Sequence, residues 1–561
     1  MGDAVAVAVR AIQDAWEEVR TGLYAAVSEE RPVDRLPDFS EQAAVAASAR
    51  AEVILERIAA VDTSSLPVDL ATTLAVAEQS MRRQSRAGRW YWTVFDPVGI
   101  GFWAIYAPTA YAGSWLLSHA ARVLGRASLA TPGDVDRYLG LVEDYGRVVR
   151  QLDERTRGQA ERGIHLPRVQ LEQAIALVAQ LRAEAPATLV RGEGETRRRV
   201  EERVQAVVDP AFAALQTWLS DPERLAHAGE EVGLAHLPDG PEIYAELVAQ
   251  HLTLDITADE AHKHGLDALE RIRAEMQAVA DELGEPDAQA VVRRLDADPA
   301  WHATTVDGVT AVFQRYIERL APHVDSQFRF QPEAPYGVEP LPASLSGSMT
   351  FGYYDKPGPG QPAGRYLFNG GNLVRQQLAS LATLTFHELV PGHHFHLASQ
   401  VESTSLHPLR ANACFNAFNE GWAEYAAHLA GELGMYEQPE ERFGRLLMDA
   451  FLTTRLVVDT GMNALGWSLE QARDFMRENA FVSEAEVLSE SVRYSCDIPA
   501  QSLGYKLGQP FLVQQRERMR VALGEAFDIR DFHDVVLRPG GLPLDLVAAN
   551  VDRAIAAATG G

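Results

Sequence analysis

The pattern of hydrophobic and polar positions along the chain is mostly helical. Ala, Leu, Glu, Arg and Gln, which are strong helix formers, dominate the sequence. Residues 257–260 (TADE) and 468–471 (SLEQ) match the capping box that satisfies free N–H groups at a helix start. Pro132 follows Thr131, which suits the first turn of another helix. These signals predict a mainly α-helical protein with helix starts near 131, 257 and 468.

One predicted helix carries a continuous apolar stripe. After the capping box at 257–260, apolar side chains recur at spacings of three and four, which places them on one helical face. The members of this stripe are Leu266, Leu269, Ile272 and Met276. We expect this face to be buried.

Residues 336–371 depart from the helical pattern. The segments MTFGYY and RYLFN have β-like composition, and a Pro/Gly-rich loop, DKPGPGQPAG, separates them. This arrangement predicts a β-hairpin or small sheet with an open edge. Such an edge pairs with an extended peptide in some proteins, and a purely structural hairpin is an equally weighted alternative.

Four segments divide the chain in this interpretation. Residues 1–130 form an N-terminal helical and aromatic-rich segment, and residues 131–335 form a helical lobe. Residues 336–371 form the β region, and residues 372–561 form the helical core that carries the candidate chemistry. Since no clear linker separates them, we expect one interlocked structural unit.

Charge and composition exclude some classes of partner. The 561 residues include 51 Lys and Arg and 78 Asp and Glu, which gives a net charge of −27. This charge disfavours nucleic acids and anionic membrane surfaces. The uncharged stretch 97–118 contains Pro108 and several glycines, so a buried segment is favoured over a membrane span. The sequence therefore predicts no nucleic-acid or membrane partner.

Two features favour a cytoplasmic location. Cys414 and Cys496 are the two cysteines, too few for a disulfide framework in a chain of this length. The first residues, MGDAVAVAV, lack the basic region and the long apolar region of a signal peptide. We expect a cytoplasmic protein, of undetermined oligomeric state.

The segment HELVPGHHFH (387–396) carries the candidate metal chemistry. In the zinc-peptidase motif HExxH, two histidines four residues apart lie on one helical face and the Glu acts as base. Here position 391 is Pro, and on a straight helix His393 would point about 120° away from His387. Pro391 and Gly392 predict a kink that brings His393 into place. We prefer His393 to His394 as second ligand, and the sequence leaves both open.

A third ligand is predicted in the segment NEGWAEY (419–425). Glu420, Glu424 and His428 share one helical face. Two histidines and one glutamate are a typical ligand set for one catalytic Zn²⁺ ion, although another dication is an alternative. Each signal alone has an ordinary explanation, such as a buried His–Glu pair or a solvated acidic stripe.

The run HELVPGHHFH resembles the HExxPGHH signature of a bacterial family known as domain of unknown function 885. Similarity to that family covers roughly residue 130 to the end of the chain. The segments that carry it, besides the signature, are 143–168, 237–266, 419–436, 455–472, 493–508 and 527–544. The family more often has His where this chain has Asn463, a departure that bears on specificity or activity.

The resemblance implies a two-lobed, all-helical, zincin-like fold similar to the thermostable-type zinc carboxypeptidases of the gluzincin group. That fold has a deep cleft with a small sheet at its wall. The resemblance also implies metallohydrolase chemistry. NEGWA is similar to the NEGFA segment of gluzincin aminopeptidases, which implies that Glu420 is a metal ligand.

Several residues are candidates for roles in metal-assisted amide hydrolysis. Glu388 is the candidate general base. Tyr494 and Tyr505 are candidate donors to the oxyanion, with satisfied core hydroxyls as the alternative. Arg493 is a candidate for binding a substrate carboxylate, with an ion pair to Glu490 as the alternative.

The predicted function is a zinc-dependent exopeptidase, carboxypeptidase-like or dipeptidase-like, acting on short peptides. One alternative is a metal-dependent hydrolase of a non-peptide amide metabolite. Another is an inactive zincin-like scaffold or peptide-binding protein. Glu388 counts against that last alternative, because binding alone needs no base, whereas Pro391 counts mildly for it.

Overall fold

The computed structural model describes residues 2–109, 111–341, 352–358, 360–370 and 378–560. The described residues are mainly helical, which confirms the predicted mainly α class. No helix in this part of the chain has the length and apolar character needed to cross a lipid bilayer.

The chain divides into two compact units. The first comprises Met1–Leu247 and Val492–Pro499, and the second comprises Val248–Ser491 and Ala500–Gly561. This division does not coincide with the segment boundaries predicted at 130, 335 and 371. Within the first unit, Thr109 and Gln170 both hydrogen-bond to Asp497, and such contacts tie the short segment from 492 to 499 to residues far away in sequence.

Among the described residues, eleven α-helices precede residue 253, and the division falls within the last of them. They are α1 (Gly2–Val19), α2 (Leu23–Ser28), α3 (Glu41–Ala59), α4 (Val68–Ser85), α5 (Ala112–Arg126), α6 (Pro132–Glu161), α7 (Arg168–Leu189), α8 (Gly194–Arg203), α9 (Asp209–Leu219), α10 (Pro222–His227) and α11 (Gly240–Leu252). The uncharged stretch 97–118 is largely buried, as the sequence predicts, and its end forms the start of α5.

The remaining described α-helices belong to the second unit, apart from Val492 at the end of α21. They are α12 (Ala258–Leu283), α13 (Ala288–Ala297), α14 (Val306–Gln327), α15 (Leu381–Glu388), α16 (His393–Glu402), α17 (Pro408–Ala411), α18 (Asn416–Glu432), α19 (Pro439–Asn463), α20 (Leu469–Asn479), α21 (Glu484–Val492), α22 (Leu503–Leu523), α23 (Ile529–Leu537) and α24 (Leu544–Thr559).

A small sheet in the second unit has the strand order β1-β3-β2. Its strands are β1 (Tyr336–Pro340), β2 (Gly352–Asp355) and β3 (Gly364–Phe368). Strands β2 and β3 pair antiparallel, which confirms the predicted hairpin, while β1 adds a parallel strand that the pattern did not indicate. The start of the MTFGYY segment, residues 349–351, lies outside the described residues.

All three predicted helix starts are confirmed. Thr257 and Ser468 cap α12 and α20 through capping boxes, and Thr131 caps α6 with Pro132 in its first turn. Each box satisfies backbone N–H groups that have no partner inside the helix.

The apolar stripe of α12 is buried except at its start. Ile272 and Met276 enter a core formed with α13 and α19. Leu269 is also buried, with 3% exposure. Leu266 is 38% exposed, so the expectation that it is buried is wrong. The buried face shifts to Gly265 at this level, because there α12 packs so closely on α19 that a Cβ on Gly265 would lie 2.6 Å from Val457.

Candidate metal centre

A sharp turn separates the two histidines of the HELVPGHH segment. Helix α15 ends at Glu388, and α16 begins at His393. The Val390–Pro391 peptide bond is cis, and a Cβ on Gly392 would lie 1.9 Å from the carbonyl oxygen of His387. Since α15 ends before Pro391 and α16 begins after Gly392, the predicted break at these residues is confirmed. A residue with a side chain does not fit at 392.

Helix α18 holds this turn in place. The indole N–H of Trp422 donates a hydrogen bond of 2.9 Å to the carbonyl oxygen of Pro391. Its neighbour Gly421 lies against Gly508 of α22, where an added Cβ would meet the Gly508 backbone at 2.7 Å. Two glycines thus let α18 and α22 approach closely. The residue before this contact, Glu420, thereby lies beside the start of α22.

Three side chains converge at this point and form what we term the ligand cluster. His387, His393 and Glu420 each offer one ligand atom, and these atoms all lie within 4.8 Å of one another. Glu420 Oε2 is 3.3 Å from His393 Nε2 and 3.7 Å from His387 Nε2. This oxygen is buried and has no hydrogen-bond partner among the described residues.

This donor set fits a zinc ion. Two imidazole nitrogens and one carboxylate oxygen match the ligands of catalytic zinc sites. A buried carboxylate oxygen without a hydrogen bond is costly in a folded protein, and a bound cation would satisfy it. His394 takes no part in the cluster. Of the two candidate histidines, it is therefore His393 that lies with His387 and Glu420.

Behind His387 lies a buried network of charges. His387 Nδ1 is 2.9 Å from Glu424 Oε1, and the other oxygen of Glu424 accepts a hydrogen bond of 2.8 Å from Arg445. Lys506 lies 3.7 Å from the same oxygen, and Asp449 pairs with both cations. Glu424 is fully buried, so these partners compensate a charge that would otherwise be unstable there.

The burial and charges of the site shift its pKa values. Burial raises the pKa of Glu388, against the opposing effect of His387 and His393. Burial lowers the pKa of His387, but its hydrogen bond to Glu424 and the nearby carboxylates outweigh burial and raise the pKa. A raised carboxylate pKa brings Glu388 closer to the range in which a group can both take and return a proton near neutral pH.

The pKa values of Glu420 and Glu424, the two carboxylates on α18, are lowered instead. Burial raises the pKa of Glu420, but the adjacent imidazoles of His393 and His387 reverse this and lower it. The charges of Arg445 and Lys506, with the bond to His387, hold the pKa of Glu424 well below its usual range despite burial. Both side chains therefore stay ionised at neutral pH, as metal binding requires.

Tyr505 lies directly at the cluster. Its ring stacks on His387 with centroids 6.1 Å apart, and its hydroxyl is hydrogen-bonded to Glu420. The guanidinium of Arg455 lies 4.8 Å from the same ring. Arg455 also lies 3.7 Å from Glu490, which was the alternative partner considered for Arg493.

Arg493 and Tyr494 belong to the first unit, on the π-helical segment Arg493–Asp497. Arg493 lies 5.2 Å from the ring of Tyr111, and Tyr494 is buried. The proposed roles of Arg493 in binding a substrate carboxylate and of Tyr494 as an oxyanion donor stay predictions.

The other polar residues of the sequence motifs have local partners. His396 is buried beside Gln400, at 2.9 Å, and burial lowers its pKa to about 3. His428 is 41% exposed and pairs with Glu432. Asn463 is buried at the end of α19 and donates to the carboxylate of Asp459. The effect of Asn463 on activity stays a prediction.

The sheet contributes two tyrosines that the sequence analysis missed. Burial and the charge of Glu388 both raise the pKa of Tyr354 and of Tyr366, with Asp355 adding to the effect at Tyr354. Tyr354 also hydrogen-bonds to His394, whose pKa burial lowers to about 4. The signal that would have found them is the predicted hairpin itself, since it precedes the HELVPGHH segment along the chain.

A family model described as "Bacterial protein of unknown function (DUF885)" matches residues 18–551. The chain belongs to this family. The match covers the HELVPGHH segment and every residue of the ligand cluster. No curated protein matches the sequence.

Two solved structures similar to this DUF885 protein are each described as a "putative lipoprotein". One, from Colwellia psychrerythraea, is 24% identical with a TM-score of 0.87 and covers 99% of this chain and 98% of its own. The other, from Shewanella oneidensis and described as of unknown function, is 17% identical with a TM-score of 0.73 and covers 97% and 98%. At these identities the likeness establishes a shared fold.

Proposed function

We propose that this DUF885 protein is a zinc-dependent peptidase of the gluzincin type that hydrolyses short peptides as an exopeptidase. One observation carries the proposal. His387, His393 and Glu420 meet within ligand distance of a single ion, and Glu388 directly follows the first of them. A binding protein would need the ligands but not a buried carboxylate with a raised pKa beside them.

His387, His393 and Glu420 are the residues that would hold the ion. Zinc bound there supplies a Lewis acid that activates water and polarises the scissile carbonyl. Glu388 takes the proton of the attacking water as its oxygen adds to the amide carbon. When the C–N bond breaks, Glu388 returns that proton to the leaving nitrogen, so the products are a carboxylic acid and an amine.

The buried network orients the first ligand. Because His387 Nδ1 bonds to Glu424, the lone pair of Nε2 is directed towards Glu420. Arg445 and Lys506 hold Glu424 in turn. Tyr505 restrains Glu420 in the same way, so both ends of the ligand cluster have supporting contacts.

The deciding experiment combines metal content with hydrolysis. Protein purified without chelator or affinity-tag metal is assayed by elemental analysis as wild type, His387→Ala and His428→Ala. We expect near-stoichiometric zinc in the wild type and in His428→Ala, because His428 lies outside the cluster, and loss of zinc in His387→Ala. Wild type without zinc after zinc is offered at neutral pH would overturn the proposal.

Glu388→Gln separates chemistry from metal binding. The amide has nearly the same size but cannot take a proton, so we expect zinc to be retained and hydrolysis to be lost. Dipeptides and tripeptides blocked at either end then give the polarity of cleavage. Hydrolysis of non-peptide amides alone would favour the metabolite hydrolase instead.

A further inference from the structure

Two tyrosines lie on the same face of the sheet. Tyr354 of β2 and Tyr366 of β3 are paired in the antiparallel register, and directly opposed residues point to one side of a sheet. Gly364 lies two residues before Tyr366, so it is on that face as well. This face lies against the start of α16, because Tyr354 hydrogen-bonds to His394 and its ring lies beside that of His393. The charge of Glu388 also raises the pKa of both phenols.

Tyr354 is fixed by a contact that depends on Gly364. Its hydroxyl is 2.8 Å from His394 Nδ1. A Cβ on Gly364 would lie 2.0 Å from that hydroxyl and 2.6 Å from His394 Nδ1. The absence of a side chain at 364 is thus what allows the phenol and the imidazole to meet.

The same phenol lies next to the ligand cluster. The rings of Tyr354 and His393 are 6.4 Å apart and inclined by 24°. Tyr354 is only partly buried, whereas Tyr366 is fully buried, so of the two phenols Tyr354 is the one with exposed surface. Tyr505 is less suited to contact a substrate, since its hydroxyl already bonds to the ligand Glu420.

We propose that Tyr354 contacts the substrate and donates its hydroxyl hydrogen to the tetrahedral oxyanion, while His394 positions it through an Nδ1–H donor. This inference rests on the proposed hydrolytic function. In this arrangement the phenolic oxygen accepts from His394, which leaves the O–H group free to donate into the site. No proton is transferred by Tyr354, because the hydrogen bond only stabilises the charge that develops on the carbonyl oxygen.

The experiment uses the zinc-loaded protein and a matched pair of variants. Tyr354→Phe removes only the hydroxyl, and Tyr353→Phe is the control because adjacent residues of a strand face opposite sides. We expect Tyr354→Phe to keep its zinc and its KM but to lose about 100-fold in kcat, the usual effect of removing one oxyanion donor. Tyr353→Phe should match the wild type.

A binding measurement gives a second readout. A phosphinic dipeptide, which imitates the tetrahedral oxyanion, should bind Tyr354→Phe more weakly than wild type, whereas the product amino acid should bind both equally. At position 394, Asn places an N–H near the position of Nδ1 and should retain activity. Gln and Ala at 394 should lower kcat as Tyr354→Phe does, and combining Ala with Tyr354→Phe should add no further loss.

The outcomes separate this inference from the proposed function. Equal kcat and equal phosphinate affinity in Tyr354→Phe and an active wild type would overturn the role of Tyr354 and leave the peptidase standing. Loss of zinc in Tyr354→Phe would also overturn it, because the residue would then support the metal site rather than the oxyanion. A wild type that binds no zinc would overturn both.

Discussion

His387 Nδ1 and Glu424 Oε1 lie 2.9 Å apart in a fully buried contact. This contact fixes the orientation of the imidazole and leaves Nε2 facing Glu420 and His393. Glu424 is kept ionised by Arg445 on its other oxygen. His387, a proposed metal ligand, and the buried charges behind it therefore form one connected unit.

Replacement of Glu424 by Gln should weaken zinc binding. The variant keeps the shape of the side chain but loses the charge that orients His387 and increases its basicity. We expect a drop in zinc affinity of about 10–100-fold, measured by competition with a chromophoric chelator. Glu432→Gln, an exposed change on the same helix, is the control and should bind zinc like the wild type. Equal affinities for the two variants would contradict the supporting role of Glu424.

Arg445 should be far more important for stability than its neighbour Arg442 on α19. Arg445 is largely buried and bonds to Glu424 and Asp449, so Arg445→Met leaves these two buried carboxylates with Lys506 as their remaining cationic partner in the network. We expect a loss of about 3–5 kcal/mol in the free energy of unfolding. Arg442 pairs with Glu282 at the surface, and Arg442→Met should cost less than about 1 kcal/mol. Urea denaturation of the metal-free proteins measures both.

The apolar stripe of α12 provides a packing test. Leu269 is 3% exposed and Leu266 is 38% exposed on the same helix. Leu269→Ala should destabilise the protein by about 2–5 kcal/mol, because it removes buried contacts and leaves a cavity. Leu266→Ala should stay within about 0.5 kcal/mol of wild type. Similar losses in thermal or urea unfolding would show that the buried face is assigned wrongly.

We expect the buried carboxyl of Asp497 to make the stability of the first unit depend on pH. Burial raises the pKa of its carboxyl from 3.8 to about 6, so the folded state holds the proton over a pH range in which the unfolded chain has lost it. Ionisation in the folded state is unfavourable, and the contribution of Asp497 to stability is therefore lost as pH rises from about 4 to about 6. Each pKa unit is worth about 1.4 kcal/mol, which gives a loss of up to about 3 kcal/mol.

Asp497→Asn should remove this dependence. The amide keeps the hydrogen-bonding partners Thr109 and Gln170 within reach but does not ionise. We expect the variant to gain stability relative to wild type between pH 4 and 6, as followed by urea midpoints at each pH. A difference that is constant with pH would contradict the raised pKa.

Much of the local structure follows from the sequence alone. The helix starts at Thr257 and Ser468 are predictable from sequence, because the capping hydrogen bonds of these residues lie within four residues. The break after Glu388 is likewise predictable from Pro391 and Gly392. The proline ring and the missing Cβ of glycine act on the backbone at these residues themselves. The prediction of the buried face of α12 is wrong at Leu266, because there the close approach of α19, rather than helical periodicity, decides which residue is buried.

Only the tertiary structure brings the site together. The sequence determined the residue types, HELVPGHH and NEGWA, and with them the chemistry that these residues are capable of. It could not choose between His393 and His394, because that choice depends on the direction in which α16 leaves the turn, a turn that Trp422 holds from another helix. Nor could it place Tyr354 beside His393, because a contact between a strand and a helix depends on packing between segments, not on any rule along the chain.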